Sequence, residues 1–400
     1  MSSNDRIFYA TQAVGIQPHG DGNNVVPGDM VHGLQSVGIN TTFNLEQAFE
    51  LGQIEIYENI EGTPDVEVTL EKVLDGSPLI YHLATKGGIV GMGSGLAGRS
   101  KSRCDVRLGI YPDSENSVKA GGATAEAEVF MSGMYVSSVS YTIPTDGSMT
   151  ESVTLVGNNK QWLLGSDASD ERKLVTAAVA NFDGFDSPAA RTAGHPGGSI
   201  TASGGVQQRE DVMLSGCILP GSIQGVLGSG YGNALNYETG EPRVHIQSFS
   251  VSTDFSREDI LELGRKTPYA RPATFPIEVT CEIEAVTTSG DFVNAYEFGD
   301  SSLNNTKASG NNTSEENIFI CTRAGYGFDL GNGNRLASVS YGGGDATGGN
   351  ATCSYSYTNF NELDVQDYST NGFIGFGALN VIAAGAGALA TFPTGLLYQT

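Results

Sequence analysis

Positive charge is what this 400-residue chain has least of: 21 Lys and Arg stand against 45 Asp and Glu, a formal net charge of −24. Binding to the outside of a nucleic-acid helix relies on Lys and Arg replacing counterions at phosphates, so the balance argues against that class of function. It leaves open a conduit that nucleic acid passes without adhering. Cysteine is sparse as well. Cys104, Cys217, Cys281, Cys321 and Cys353 are odd in number, and the closest two are 32 residues apart, which excludes a CxxC metal clamp and a compact disulfide framework. Buried free thiols are expected instead. The opening MSSNDRIFYATQ has neither the basic nor the apolar region of a signal peptide, which points to a protein made and assembled in a cytoplasm. One apolar run, Phe373 to Phe392, is long enough on paper to cross a bilayer. It is rich in Gly and Ala, broken by Asn380 and without basic flanks, so burial against protein is the expectation and no membrane span is assigned.

Catalytic signatures are missing too. The five histidines, His19, His32, His82, His195 and His245, form no HExxH or i,i+4 pair; there is no GxSxG elbow and no Asp-rich loop with calcium spacing. No catalytic residue, metal or cofactor is therefore assigned. Gly93, Gly95 and Gly98 spell GxGxxG and run into Arg99 and Ser100, a near miss to a phosphate-binding loop. That chemistry needs a helix N-terminus to receive the phosphate. The following SRCDVRLGIYPD reads as loop and then strand, so the glycines are read as a loop that a neighbouring subunit orders, with a nucleotide-binding enzyme as the remote alternative.

What the chain does have is 54 Gly with no collagen period, 39% hydrophobic residues, and enough length for roughly two globular domains. It also repeats itself. QSVGINTTF (35–43) matches QSFSVSTDF (247–255), and without a gap FNLEQAFELG (43–52) matches FSREDILELG (255–264). PDVEVTLE (64–71) then meets PIEVTCE (276–282), and SVSY recurs at 138–141 and 338–341. Each copy reads as an alternating strand, a short helical segment, and a second strand. In the second copy Ser256 and Asp259 suggest a capping box and Gly264 a helix C-terminus; Asn44, Gln47 and Gly52 hold the same places in the first. His32 and His245 each follow a Val just ahead of the repeated Gln-Ser strand and are read as structural. Further β-prone runs at 106–111, 136–142, 152–156, 318–322 and 351–358 complete two mainly β, antiparallel barrels or sandwiches, each with one short helix. The expected boundaries are 1–165 for the first β domain, 166–207 for a linker and surface loop with a short helix near 174–181, and 208–400 for the second domain with its apolar C-terminal segment.

On the second strand of each copy glutamates alternate with apolar residues: Glu67 and Glu71, then Glu278, Glu282 and Glu284. In one monomer this is a solvated face. Around a shared axis it would line a lumen with negative charge and keep DNA phosphates off the walls. Lys86 to Ser102, with Gly93, Gly95, Gly98 and Arg99, aligns with Asn304 to Ser314, with Asn305 and Lys307; these two loops are the candidate inter-subunit contacts.

The segments Phe255 to Val286, and more loosely Phe43 to Thr85 with Tyr135 to Asn158, resemble the tail tube proteins of long-tailed bacteriophages. The resemblance implies tube-fold barrels that join sheets between subunits into an inner β barrel, with stacked rings as the conduit for genome ejection. It implies a virion protein assembled in the host cytoplasm, partnered by itself in trimeric or hexameric rings, with tail sheath, baseplate and tail terminator as further partners. DNA would pass without specific binding. The common tube subunit has one such domain and this chain two, so a baseplate hub, tail-tube adaptor or decoration protein forming a single pseudo-hexameric ring is the alternative. Joining sheet edges would also cover the unpaired strands that a free sheet leaves exposed.

Overall fold

The computed structural model describes residues 6–7, 9–19, 29–52, 54–86, 95–111, 126–164, 206–212, 217–220, 223, 244–287, 290–291, 293, 315–322, 326–344 and 349–367. The linker near 174–181, Gly93, Asn305, Lys307 and the run 373–392 lie outside them.

In chain order the strands are β1 (Gln12–Pro18), β2 (Asp29–Met30), β3 (Leu34–Phe49), β4 (Ile56–Val73), β5 (Cys104–Ile110), β6 (Ala127–Ile143), β7 (Thr150–Gly157), β8 (Gln161–Leu164), β9 (Val244–Asp254), β10 (Glu278–Thr287), β11 (Phe319–Cys321), β12 (Tyr326–Asp329), β13 (Arg335–Gly342), β14 (Thr352–Phe360) and β15 (Asp364–Asp367). Two short helices, α1 (Ile80–Lys86) and α2 (Leu96–Arg99), separate β4 from β5. The fold is mainly β and antiparallel, as the alternation of apolar and polar residues requires.

One sheet runs through both halves of the chain. Its path is β3-β4-β7-β6-β9-β10-β14-β13, and the strand order of the first four, β3-β4-β7-β6, is followed by the corresponding order β9-β10-β14-β13. The two quartets meet where β6 pairs with β9, from Ser138 opposite Asp254 to Ile143 opposite Phe249. The long strand β6 serves two layers. Its C-terminal half lies in this spine beside β7 and β9, and its N-terminal half pairs with β5 and β8 in a second layer that continues through β1 to β2. A three-stranded sheet, β11-β12-β15, is the second layer of the other half.

The core lies between the spine and these covering layers. Val66, Val68 and Leu70 of β4, Val153 and Leu155 of β7, and Cys281 and Ile283 of β10 belong to one contiguous buried cluster spanning both halves. The halves are tied outside the sheet as well: Tyr326 donates from its hydroxyl to Ser77 O at 2.6 Å, the His82 ring lies 2.8 Å from Val365 O, and the Tyr141 and Phe328 rings are 4.6 Å apart. None of the five cysteines is in a disulfide, four of them are buried, and burial pushes the Cys281 thiol up to about 12.

Inside the first half an ionic cluster fixes the start of α1. The buried Glu151 carboxylate accepts from the amides of Ile80 at 2.7 Å and Tyr81 at 3.1 Å and from the Tyr141 hydroxyl at 3.2 Å. Lys72, opposite Glu151 in the sheet, donates to Ser77 O and Pro78 O and lies 3.6 Å from Asp75. Burial raises the Glu151 pKa, opposed by the Lys72 charge and the two amides; for Asp75 burial acts upward too, but Lys72 and Ser77 outweigh it and hold the carboxyl below its usual value.

The structure moves the expected helices. Residues 44–49 lie in β3, and the second copy's segment 256–264 is an irregular ribbon with single bridges from Arg257 to Ala273 and from Ile260 to Ala270. Both are the outgoing strands of hairpin arms: β3 continues past the body and returns along β4, pairing Leu45 with Glu61 and Ala48 with Glu58. Gly52 (φ +97°) and Gly264 (φ +87°) take their left-handed conformations at the arm tips, not as helix C-caps. Asp259 does not cap a helix; it pairs with Arg271 at 2.6 Å. The cross-strand hydrogen bonds of a hairpin satisfy the backbone that an isolated helix of this length would leave marginal. The helix actually present in the first half, α1, sits where Glu151 anchors it.

Replacing Glu151 by Ala removes an anchor of two amides and leaves Lys72 short of a counter-charge, so Glu151→Ala should destabilise the fold by about 3 kcal/mol in denaturant titration, and Glu151→Gln by less.

Candidate assembly interface

A strand at the end of a sheet has one ladder of unpaired backbone groups, and the spine ends on β3 at one side and β13 at the other. These ends correspond to the two strands that meet in the middle. β13 carries the same SVSY as β6, and β3 carries the Gln-Ser and Thr-x-Phe positions of β9. At the central joint Val139, Ile143, Phe249, Val251 and Thr253 are buried. The counterparts of Val139, Phe249, Val251 and Thr253 on the free edges, Val339, Val37, Ile39 and Thr41, are only half-buried, and Ile143 corresponds to Gly343. The aromatic positions show the contrast most sharply. Tyr141 is 1% exposed and Tyr341 53%; Phe255 is 0% exposed and Phe43 69%. Burying such side chains is worth about 1.5–3 kcal/mol each, a stabilisation that the joint has and the free edges lack.

The joint also shows which backbone groups face outward at the edges. Phe255 N donates to Ser137 O at 2.8 Å, so in the antiparallel pairing the residues at 139 and 253, and at 141 and 251, are those whose amides point across the joint. On the free edges these are Val339 and Tyr341 of β13, and Thr41 and Ile39 of β3.

One face of the spine packs on the core and the other is open. The structure brings all five glutamates singled out in the sequence to the open face: Glu67, Glu71, Glu278, Glu282 and Glu284 are exposed there, separated by the buried Val68, Leu70, Val279, Cys281 and Ile283. Between them the face is hydroxyl-rich. Across the register Glu71 continues to Ser152, Ser140, Ser252, Thr280 and Thr358. Ser36 donates to Glu71 at 3.3 Å and Ser248 to Glu284 at 3.4 Å, the same contact in each half. Asp254 joins the acidic set, and Arg335 stands at the β13 rim, 3.2 Å from Glu315. Asp254 was legible as the next alternating position of its strand but was not singled out.

The glycine loop is placed differently. Gly95 precedes α2, Gly98 lies within it, and Arg99 turns inward, where it donates to Thr85 Oγ1 at 2.8 Å and lies 5.6 Å from the Tyr81 ring centre. After α2 the chain turns into β5 at Cys104, the loop-then-strand order expected of it.

Sequence reasoning missed the second arm as a clasp. The ribbon 255–275 leans on the first half: Arg257 donates to Val136 O at 2.8 Å and Ser100 O at 2.7 Å and lies 5.0 Å from the Tyr135 ring. Arg271 bridges Asp65 and Asp259, and the Thr63 hydroxyl donates to Lys266 O. The signal was the four bases of residues 255–275, Arg257, Arg265, Lys266 and Arg271, against the three acids Glu258, Asp259 and Glu262 in a chain of net charge −24. A polar cleft of about 220 Å³ lies beneath this arm, lined by His19, Arg103, Asn158, Arg265 and Tyr269 among others.

No family model and no curated protein matches the chain. Solved structures similar to it include the tube-terminating cap of the anti-feeding prophage, 12% identical over 41% of this chain and 95% of that one with a TM-score of 0.26. A chain of the anti-feeding prophage baseplate is 13% identical over 41% and 99% of the two chains, TM-score 0.28. A chain of the extended sheath–tube complex of a PVC extracellular contractile injection system is 10% identical over 40% and 93%, TM-score 0.26. Each likeness covers less than half of this chain, and the interface is defined by its own hydrogen-bond registers.

The Asp65 carboxyl supplies a pH test of the clasp. Burial acts to raise its pKa, but Arg271, Asn44 and Asn158 together hold it below the usual 3.8. A depressed carboxylate contributes stability above its unfolded pKa and loses it as pH falls through the folded value. Hydrogen exchange of residues 257–273 should therefore be unchanged between pH 7 and 5 and rise below about pH 3.8, and Asp65→Asn should produce the same opening at neutral pH.

Proposed function

We propose that this chain is a structural protein of a phage-tail-like particle that closes with copies of itself into a ring, the open acidic face of the spine forming the wall of a conduit. One observation carries the reading: the residues buried where β6 meets β9 recur, half-exposed, on the two free edges. The edges are therefore complementary to each other in the way the two halves already are. A second chain adding β3 to β13 continues the sheet with the same pairing, a heterologous contact that closes when the rotation per chain divides a full turn. Each chain supplies two four-stranded units derived from a duplicated domain, so a threefold ring presents six of them.

Carried over from the central joint, the register sets Ser338 opposite Thr42, Val339 opposite Thr41, Ser340 opposite Asn40, and Tyr341 opposite Ile39 of the next chain. Rings of this kind stacked on one another make a tube. Its wall would be hydroxyl-bearing and acidic, with Glu67, Glu71, Glu278, Glu282 and Glu284 repelling phosphates so that DNA moves through without being held. The resemblance of residues 255–286 to tail tube proteins supports the same role and gives the particle's sheath, baseplate and terminator as neighbours. On this reading the protein is no enzyme and belongs to the virion.

Val339→Pro removes an outward amide that the monomer does not use, so the variant should fold and remain monomeric where the wild type forms rings by sedimentation and electron microscopy. Asn40→Lys with Ser340→Lys should also block assembly by placing like charges opposite each other, and Asn40→Glu with Ser340→Lys should restore it. A wild type that stays monomeric at high concentration, or rings seen down their axis with the glutamates on the outer wall, would defeat the proposal.

A further inference from the structure

Between β8 and β9 the chain crosses from the first half to the second as a strap held by few bonds. Gln207, fully buried, sits in the first half, where its amide donates to Leu74 O at 2.7 Å and its carbonyl accepts from Met149 N at 3.0 Å. Val212 then bridges Thr322, the residue that follows β11. Residues 217–220 lie along β11 itself: Ile218 and Phe319 exchange both backbone hydrogen bonds, at 2.8 and 2.9 Å. Leu219 and Ile223 enter the core behind that pair. Among the described residues, one ladder rung therefore holds the far end of the strap to β11.

Beside that rung two thiols meet. The Cys321 amide, on the same side of β11 as that of Phe319, donates to Cys217 Sγ at 3.4 Å, and Cys217 Sγ lies 3.9 Å from Cys321 O. The two thiols are also hydrogen-bonded to each other. Cys217 is half-buried and Cys321 is 2% exposed. The hydrogen bond with Cys217, and then burial, hold the Cys321 thiol well above its usual pKa. The other three cysteines stand apart. Cys104 is on β5 in the first half, and Cys281 lies four residues along β10 from Ala285, the partner of Cys353, a separation of about 13 Å.

We propose that Cys217 and Cys321 form a thiol–disulfide exchange site, which takes a small-molecule disulfide and closes into a bond that fastens the strap to β11. Cys217, the more accessible of the two, attacks as thiolate one sulfur of the small disulfide, whose S–S bond breaks and whose other half leaves as a thiol. Cys321 then gives its proton to water and attacks Cys217 Sγ in the mixed disulfide, expelling the second small thiol. Two protein thiols are oxidised and one small disulfide is reduced to two thiols, which carry away the two protons. The burial of Cys321 sets this order. Its thiol is a poor first attacker, and it becomes effective once the sulfur already beside it is the electrophile. The bond joins residues 104 positions apart, and a cross-link closing so long a loop restricts the unfolded chain strongly. A thiol pool of the cytoplasmic kind keeps such a pair reduced, and an oxidising medium closes it. Neither the site nor its test depends on ring formation.

The test incubates the purified full chain with oxidised glutathione, alkylates the remaining thiols after denaturation, and maps the peptides. Each chain is expected to lose two of its five thiols, with Cys217 and Cys321 joined within one chain. The thermal midpoint should rise by about 5 °C and fall back on reduction with dithiothreitol. Under the same oxidant neither Cys217→Ser nor Cys321→Ser should gain stability, and Cys321→Ser should retain glutathione on Cys217. The mapping is read on the wild type, so a serine variant that fails to fold leaves the test intact. The proposal is overturned if both cysteines are still alkylated after oxidation, or if the wild type stops at the mixed disulfide. A bond from either one to Cys104, Cys281 or Cys353, or a link between two copies, overturns it as well.

Discussion

Backbone hydrogen bonding across the β6–β9 joint is the constraint on which the rest of this structure depends. A four-stranded antiparallel sheet with two open edges exposes a row of amides and carbonyls on each, and burying the apolar face of such a sheet leaves its outermost side chains half-wet. By setting β9 against β6 the chain converts two of its four edges into an interior ladder, buries Tyr141, Val251 and Phe249 there, and makes one continuous core from two units. The two edges that remain are the same two kinds of edge. The molecule thus contains, within itself, both the contact that satisfies such an edge and two copies of the unsatisfied state.

Around that joint the polar groups divide by face. On the buried face charges are few and held: Glu151 anchors the α1 amides, while Lys72 is surrounded by Ser77, Pro78 and Asp75. On the open face Glu67, Glu71, Glu278, Glu282 and Glu284 stand exposed to water among serines and threonines, two of which donate to Glu71 and Glu284. The strong net negative charge of the chain is therefore not evenly spread. Among the described residues the open face carries the five glutamates and the first arm carries acidic side chains without bases, whereas the second arm mixes four bases with three acids and clasps the first half.

Much of this was legible in the sequence and some was not, for identifiable reasons. Strands β4, β7, β10 and β14 announced themselves because apolar and acidic or hydroxyl residues alternate with period two, and the face of each glutamate follows from that period. The arms were misread as helices because Ser256, Asp259 and Gly264 satisfy the local preferences of a helix start and stop. In the folded chain Ser256 takes a left-handed φ of +44°, Asp259 pairs with Arg271, and Gly264 turns a hairpin. Local propensity was overridden by a returning strand some ten residues downstream. The matched strands show a subtler slip. EVTLE and EVTCE align in sequence, yet Glu71 meets Ser36 as Glu284 meets Ser248, two places further along than that alignment gives. A shift of two leaves every side chain on its own face, so the face pattern cannot detect it.

The sequence by itself determined the antiparallel β class, the recurrence of a strand pattern in two halves, and the common face of the five glutamates, because each follows from periodicity and short-range identity. Only the tertiary structure decided that the halves share a single sheet, that β3 and β13 are its open ends, that Arg99 turns inward, and that the two arms are hairpins with one seated and one free. These depend on which strand lies beside which: the arms on pairings ten to sixteen residues apart that override local preference, and the shared sheet on hydrogen bonds between residues more than a hundred positions apart, which no local pattern encodes.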